Sequence, residues 1–183
     1  MNIGAVISNV LVVSALLILI YIYYPIIALY TPLPDKKVHE STYSIEIPKI
    51  NAYAPIIANV NPWDKSEYEE ALSNGVAKAK DFADFGEDGT IFMFAHASLS
   101  PWEMTRTNTA FLRLNELHIN DEIIITKFDQ KYKYKVIEKK EVWPTDVNST
   151  LHTDSNQLIL QTSIPLGTDL KRLLIYARPT TSL

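Results

Sequence analysis

Gln157 to Pro179 reads QLILQTSIPLGTDLKRLLIYARP, and the fold is decided by how this stretch is read. QLILQT and RLLIYAR are short apolar runs rich in strand-forming residues. The loop between them holds Pro165 and Gly167, so the stretch reads as two strands joined by a turn. Ser163 ends the first strand and Arg172 begins the second, with eight residues between them. If the strands pair, the two side chains face each other across the mouth of the hairpin. A hydroxyl beside a guanidinium suits a nucleophile next to a group that holds a developing oxyanion. The plain alternative is a strand-end serine and an arginine paired with Asp169.

Working outward, YSIEIPKI at Tyr43 to Ile50 alternates apolar and polar residues, and APIIA at Ala54 to Ala58 is a second apolar run, so both read as strands. Asp64 with Glu67 three residues on starts a short, mostly polar helix through about Leu72, and Gly75 stands where a C-terminal cap belongs. TIFMFA at Thr90 to Ala95 is a buried-type strand, Thr109 to Leu117 a helical stretch, and EIIITKF at Glu122 to Phe128 another strand. Asp129 and Gln130 make a turn. Lys131 to Trp143 then forms a long strand with outward lysines. Many short strands with one or two brief helices imply a mostly antiparallel barrel or sandwich.

The opening differs in kind. No charged side chain occurs from Met1 to Pro34, so all 17 basic and 21 acidic residues follow it. Ile3 to Tyr24 is an unbroken uncharged run whose 22 residues would span about 33 Å as a helix, enough to cross a membrane. The competing reading, a cleaved signal peptide, is disfavoured: the run exceeds an h-region, no Lys or Arg precedes it and no small-x-small pattern follows. Tyr21, Tyr23, Tyr24 and Tyr30 fit an interfacial belt, and Pro25, Pro32 and Pro34 stiffen the exit. Lys36 and Lys37 vote for a cytoplasmic domain, but Asp35 and Glu40 offset them. What remains suits one domain, and a net charge of -4 gives no positive field for a nucleic-acid partner. With no cysteine, disulfides, Cys-ligated metals and thiol chemistry are excluded.

Of four histidines, His39, His118 and His152 fall in polar connecting segments. His96 follows the apolar strand TIFMFA directly and so stands at a strand mouth, where catalytic side chains are commonly mounted. The acidic loop with Asp81, Asp84, Glu87 and Asp88 has hard oxygen ligands but not the spacing of an EF-hand, so no metal is expected. Trp102, and Trp143 with Pro144, are candidates to wall a peptide groove, with ordinary packing as the alternative. No phosphate-cradling glycine loop is present, and no cofactor is expected.

These residues together resemble the sortases, the membrane-anchored cysteine transpeptidases of bacterial surfaces. In that family a histidine follows a hydrophobic strand, the nucleophile closes a motif of the form TLxTC, and an arginine opens the last strand. FMFAHAS supplies His96, LILQTS supplies Leu158 to Ser163, and KRLLIYA supplies Arg172. NTAFLRLNELHINDEIII is similar to the segment that follows the histidine in the family. The resemblance runs from YSIEIPKI to the final RLLIYARP. It implies a mostly β protein, a mixed β-barrel with short helices over 43–183, preceded by a transmembrane anchor over 1–30 and a linker over 31–42.

The resemblance further implies a transpeptidase with His96, Ser163 and Arg172 as catalytic residues and Thr162, Trp102 and Asn108 on the substrate side. Its partners would be the C-terminal sorting peptide of a secreted protein, an amine acceptor at the cell surface or a pilin-type lysine, and membrane lipid. That chemistry places the domain outside the cell, single-pass in the cell membrane. Two departures stand out. Ala95 replaces the usual glycine before the histidine, and Ser163 occupies the position of the cysteine. A thiol is drawn to thiolate by a neighbouring cation, whereas a hydroxyl needs a general base with an orienting partner. Asp146 and Asn108 are the nominees for orienting His96. Ser163 is therefore read in three ways: a working serine variant, an inactive peptide-binding descendant, or a substituted cysteine.

Overall fold

The computed structural model describes residues 3–30, 42–96, 109–151, 156–165 and 168–180. Helix α1, Ile3–Tyr30, carries no charged residue, and its stretch Ile3–Tyr23 is long and apolar enough to cross a membrane. All side chains described in it are exposed.

The rest is a closed eight-stranded barrel. Strand β1 (Tyr43–Ile47) buries Ile45 and Ile47 and exposes Glu46, as its alternation predicts. A 3-10 turn at Pro48–Ile50 ends at Asn51, which adopts φ 50° and leads into β2 (Ala52–Val60), antiparallel to β1. Helix α2 (Lys65–Asn74) is capped by Asp64, whose carboxylate accepts from the N–H groups of Ser66 and Glu67. Glu67 reaches back past the cap to the N–H of Asn61 at 2.8 Å. The N–H of Gly75 closes the helix on the carbonyl of Ala71, but its φ of 167° is extended. Glycine is needed here for space: a Cβ would stand 2.3 Å from the Pro55 carbonyl oxygen.

Because α2 carries the chain back along the barrel wall, β3 (Val76–Ala79) pairs with β2 in parallel. Strand β4 (Thr90–Phe94) is antiparallel to β3 and buried throughout. Ile91 and Met93 lie on the same face as their neighbours Leu158 and Leu160, while Phe92 and Phe94 stack on the opposite face with ring centroids 5.6 Å apart. Phe82 and, from α2, Tyr68 cover that outer face. Strands β5 (Glu122–Lys127) and β6 (Gln130–Val142) form a hairpin with two residues between them, and β5 also pairs with β1. Helix α3 (Val147–Leu151) precedes β7 (Gln157–Ile164), which runs parallel to β4 and antiparallel to β8 (Lys171–Pro179). Strand β8 pairs on its other side with β6 and completes the ring.

The barrel is mixed, as the resemblance implies: β2–β3 and β4–β7 are parallel and the other pairs antiparallel. Three expectations change. Thr109 to Arg113 forms turns and Leu114–Glu116 a single 3-10 turn in place of a helix, with Phe111 and Leu114 anchored in the core. The long strand spans Gln130–Val142, not Lys131 to Trp143, and a short helix at Val147–Leu151 was unforeseen.

Candidate active site

Parallel pairing of β4 with β7 brings two distant segments side by side. Phe94 is the register partner of Gln161, and the N–H of Ala95 extends the ladder by donating to the Gln161 carbonyl at 3.2 Å. Two residues beyond Phe94 and Gln161 on the same face come His96 and Ser163. On the other side of β7, Ser163 is the register partner of Arg172 on β8. The three residues therefore stand in a row on three neighbouring strand ends, and all three line one groove of about 390 Å³.

The groove lies on the outer barrel wall. Phe92, Phe94 and Gln161 line its strand side. On α2, Lys65, Tyr68, Glu69 and Leu72 line it at intervals of three and four, one stripe of the helix, with Pro62 and Trp63 ahead of them. Pro144 and Val147 contribute from beyond β6. The lining mixes apolar side chains with polar ones: Lys65, Glu69 and Gln161 lie along it, and His96, Ser163, Asp169 and Arg172 stand together at the strand ends.

Asp169 ties that end together. Its Oδ1 accepts the Ser163 hydroxyl at 2.9 Å and stands 3.6 Å from Arg172 Nη1, which also donates to the Asp169 carbonyl at 3.1 Å. Both halves of the opening expectation are thus present: Ser163 faces Arg172, and Arg172 pairs with Asp169. Thr162 also borders the groove, is 3% exposed, and donates its hydroxyl to the Ala95 carbonyl at 3.3 Å. It fastens the strand end that carries Ser163 to the one that carries His96.

Trp102 and Asn108 lie outside the described residues, as do His39 and His152. Asp146 does not line the groove; it accepts a hydrogen bond from Thr145 at 3.0 Å beside α3. Trp143 turns to the surface, with Lys171 Nζ 5.6 Å from the ring centroid. His118 is a surface residue near Asp121. The acidic loop is internally satisfied, with Asp84 bonded to Lys127 at 2.6 Å, Asp88 to Asn156, and Glu87 to the Asp84 N–H. Tyr68, Gln161 and the role of Asp169 toward Ser163 were missed. The stripe at 65, 68, 69 and 72 and the period-two position of Gln161 before Ser163 were the available signals.

A family model described as Sortase domain matches residues 45–180. The chain belongs to the sortase family. Sortase D of Bacillus subtilis (strain 168) is 30% identical over 141 residues, which are 75% of this chain and 63% of that protein. This sortase thus spans a little under two thirds of that relative's length. Among solved structures, sortase A of Corynebacterium diphtheriae matches with a TM-score of 0.63 at 25% identity, covering 77% of this chain and 61% of that one. A sortase C of Streptococcus pneumoniae, described for its catalysis and pilin substrate specificity, matches with a TM-score of 0.64 at 23% identity, covering 80% and 72%. The sortase barrel explains why residues so far apart in sequence converge on one groove.

Proposed function

We propose that this sortase is a membrane-anchored transpeptidase that cleaves the C-terminal sorting signal of a secreted protein and joins the new acyl end to an amine, with Ser163 in the nucleophile position. The observation that carries the reading is the row of His96, Ser163 and Arg172 on neighbouring strand ends lining one groove. Such a groove suits an extended peptide whose apolar side chains rest on Phe92, Phe94 and Tyr68 while its scissile carbonyl reaches the row.

In the first half-reaction Ser163 Oγ attacks the carbonyl carbon and its proton passes to His96. Arg172 faces the tetrahedral oxyanion. The C–N bond breaks, His96 hands the proton to the leaving amine, and an ester remains on Ser163. An incoming amine then attacks the ester, gives a proton to His96, and Ser163 recovers it as the ester C–O bond breaks. Water in place of the amine gives hydrolysis. Thr162 holds the two strand ends in position, and Trp102 and Asn108 are assigned to the substrate side by sequence resemblance.

The acceptor is an amine at the cell surface, and the pilin specificity described for the S. pneumoniae relative supports a pilin-type lysine as one such group. The span Ile3–Tyr23 supports a single-pass anchor in the cell membrane with the barrel outside, where secreted substrates are found. One observation favours a second reading, an inactive peptide-binding module on the same fold: the hydrogen bond made by Ser163 goes to the carboxylate of Asp169. A carboxylate is a weak base toward a hydroxyl, and without an effective base the serine should lose several powers of ten in rate.

The deciding experiment is single-turnover reaction of the full chain and of Ser163→Cys with a library of C-terminal peptides from secreted proteins, read by mass spectrometry for an acyl adduct on residue 163. Adducts on both forms establish a serine transpeptidase. An adduct on the Cys form alone establishes a competent groove silenced by the serine, and no adduct on either leaves the binding module.

A further inference from the structure

The hairpin between β5 and β6 has an unusual tip. Phe128 and Asp129 are its two central residues, and Phe128 has φ 54° while Asp129 has no positive φ. In two-residue hairpins with a positive φ at the first position only, glycine is the preferred residue there, because a side chain is strained. Here the site holds a phenylalanine whose ring is 69% exposed. Strain and exposure are two separate costs at one residue, and no contact inside the barrel offsets them.

The tip lies beside the point where the chain from the anchor enters the barrel. The N–H of Phe128 donates to the carbonyl of Thr42, the first residue described after α1. Residues 31–41 therefore join Tyr30 directly to the base of this tip, and eleven residues reach at most about 40 Å. Behind the tip, Lys131 and Lys135 point outward along β6 and are exposed, and neither forms an ion pair among the described residues. Across the barrel lies the other end of β6, where Val142 is the register partner of Arg172, so the groove is distant from the tip.

We propose that the Phe128 tip, backed by Lys131 and Lys135, is a second membrane contact that seats the barrel on the lipid surface with the groove facing away. The occupant is a bilayer interface carrying anionic headgroups: an aromatic ring enters the headgroup region and lysines meet the lipid charge. Chain connectivity favours lipid over a protein partner, since the eleven residues after Tyr30 keep the tip within about 40 Å of the end of the span. The inference rests on the reading of α1 as a membrane anchor.

The chain has no cysteine, so a single introduced one reports its own surroundings. Asp129→Cys in the full chain is labelled with an environment-sensitive dye and reconstituted in vesicles of phosphatidylcholine, with or without phosphatidylglycerol, that contain headgroup spin-labelled lipid. Ile119→Cys is the reference, because Ile119 is 64% exposed and precedes the opposite end of β5. The expected result is several-fold stronger quenching at 129 than at 119, enhanced by phosphatidylglycerol and lost in Asp129→Cys/Phe128→Gly. The glycine suits the φ of the tip, so this variant removes the ring without unfolding the hairpin. Equal quenching at both sites, or no effect of Phe128→Gly, overturns the tip contact while flotation of the chain with vesicles leaves the anchor standing. Failure to float overturns the anchor and the tip contact with it.

Discussion

The Ser163 hydroxyl donates to Asp169 at 2.9 Å, and the same carboxylate oxygen stands 3.6 Å from the Arg172 guanidinium. One exposed acid thus occupies the space between the proposed nucleophile and the proposed oxyanion partner, and a substrate carbonyl must displace it. In the Ser163→Cys form the same carboxylate would face a thiol, and a like charge disfavours the thiolate. Asp169→Asn in that background should therefore speed alkylation by iodoacetamide at neutral pH by roughly tenfold, the equivalent of one pKa unit. An unchanged rate would mean that Asp169 does not govern the nucleophile.

Thr162 joins the two halves of the site through one buried hydrogen bond to the Ala95 carbonyl. Thr162→Val keeps the shape and leaves that carbonyl without its donor, so unfolding in urea should show a loss of about 1 to 2 kcal/mol. Thr162→Ser keeps the donor and should recover most of the loss. Equal stability of the Val variant and the parent would remove the fastening role.

Gln161 Oε1 is buried on the wall of the groove and has no hydrogen-bond partner among the described residues. Replacing an unsatisfied polar group by an apolar one of similar shape is favourable, so Gln161→Met should raise the stability by about 1 kcal/mol in the same assay. The gain should come with weaker peptide binding if the amide serves the substrate. A destabilised Met variant would show that the amide is satisfied in solution.

Burial works against ionisation of Asp84, but the hydrogen bonds from Lys127 and the Phe85 N–H, with the Lys78 and Lys127 charges, outweigh it and hold its carboxyl below the usual range. Lys78 is almost fully buried and lies 3.9 Å from the same group. A carboxyl whose folded pKa is depressed contributes stability above its unfolded pKa of about 4, and the contribution fades as the pH falls through the folded value. Asp84→Asn should lower the melting temperature at neutral pH and shrink its further fall below about pH 4. Parallel curves for variant and parent would show that Asp84 is not part of the acid response.

Much of this was legible in the sequence because it is local. YSIEI and EIIITK show their alternation, and His96 is marked by the apolar strand before it. What stayed hidden depends on pairing at a distance. Val76–Ala79 has small residues and a lysine, no period to read, and becomes a strand only through β2 and β4. Lys78 is buried there because Asp84, six residues on, returns to meet it. The apolar residues of 109–117 suggested a helix, but Phe111 and Leu114 are buried by turns instead. The row itself was foreseen for Ser163 and Arg172, neighbours across one loop, whereas setting His96 beside them required the parallel pairing of β4 with β7.

That β8 lies between β7 and β6 has a consequence for how the protein is made. A chain emerging from its N-terminus presents β6, and then β7, before the strand that must separate them. Until Lys171–Pro179 arrives, both have an open edge, and the half-built ring is a template for pairing with other chains. A chain stopped before Lys171 would be sticky and unable to close, not merely slower. The eighth strand is at once the latch of the barrel and the carrier of Arg172, so closure and completion of the groove are one event.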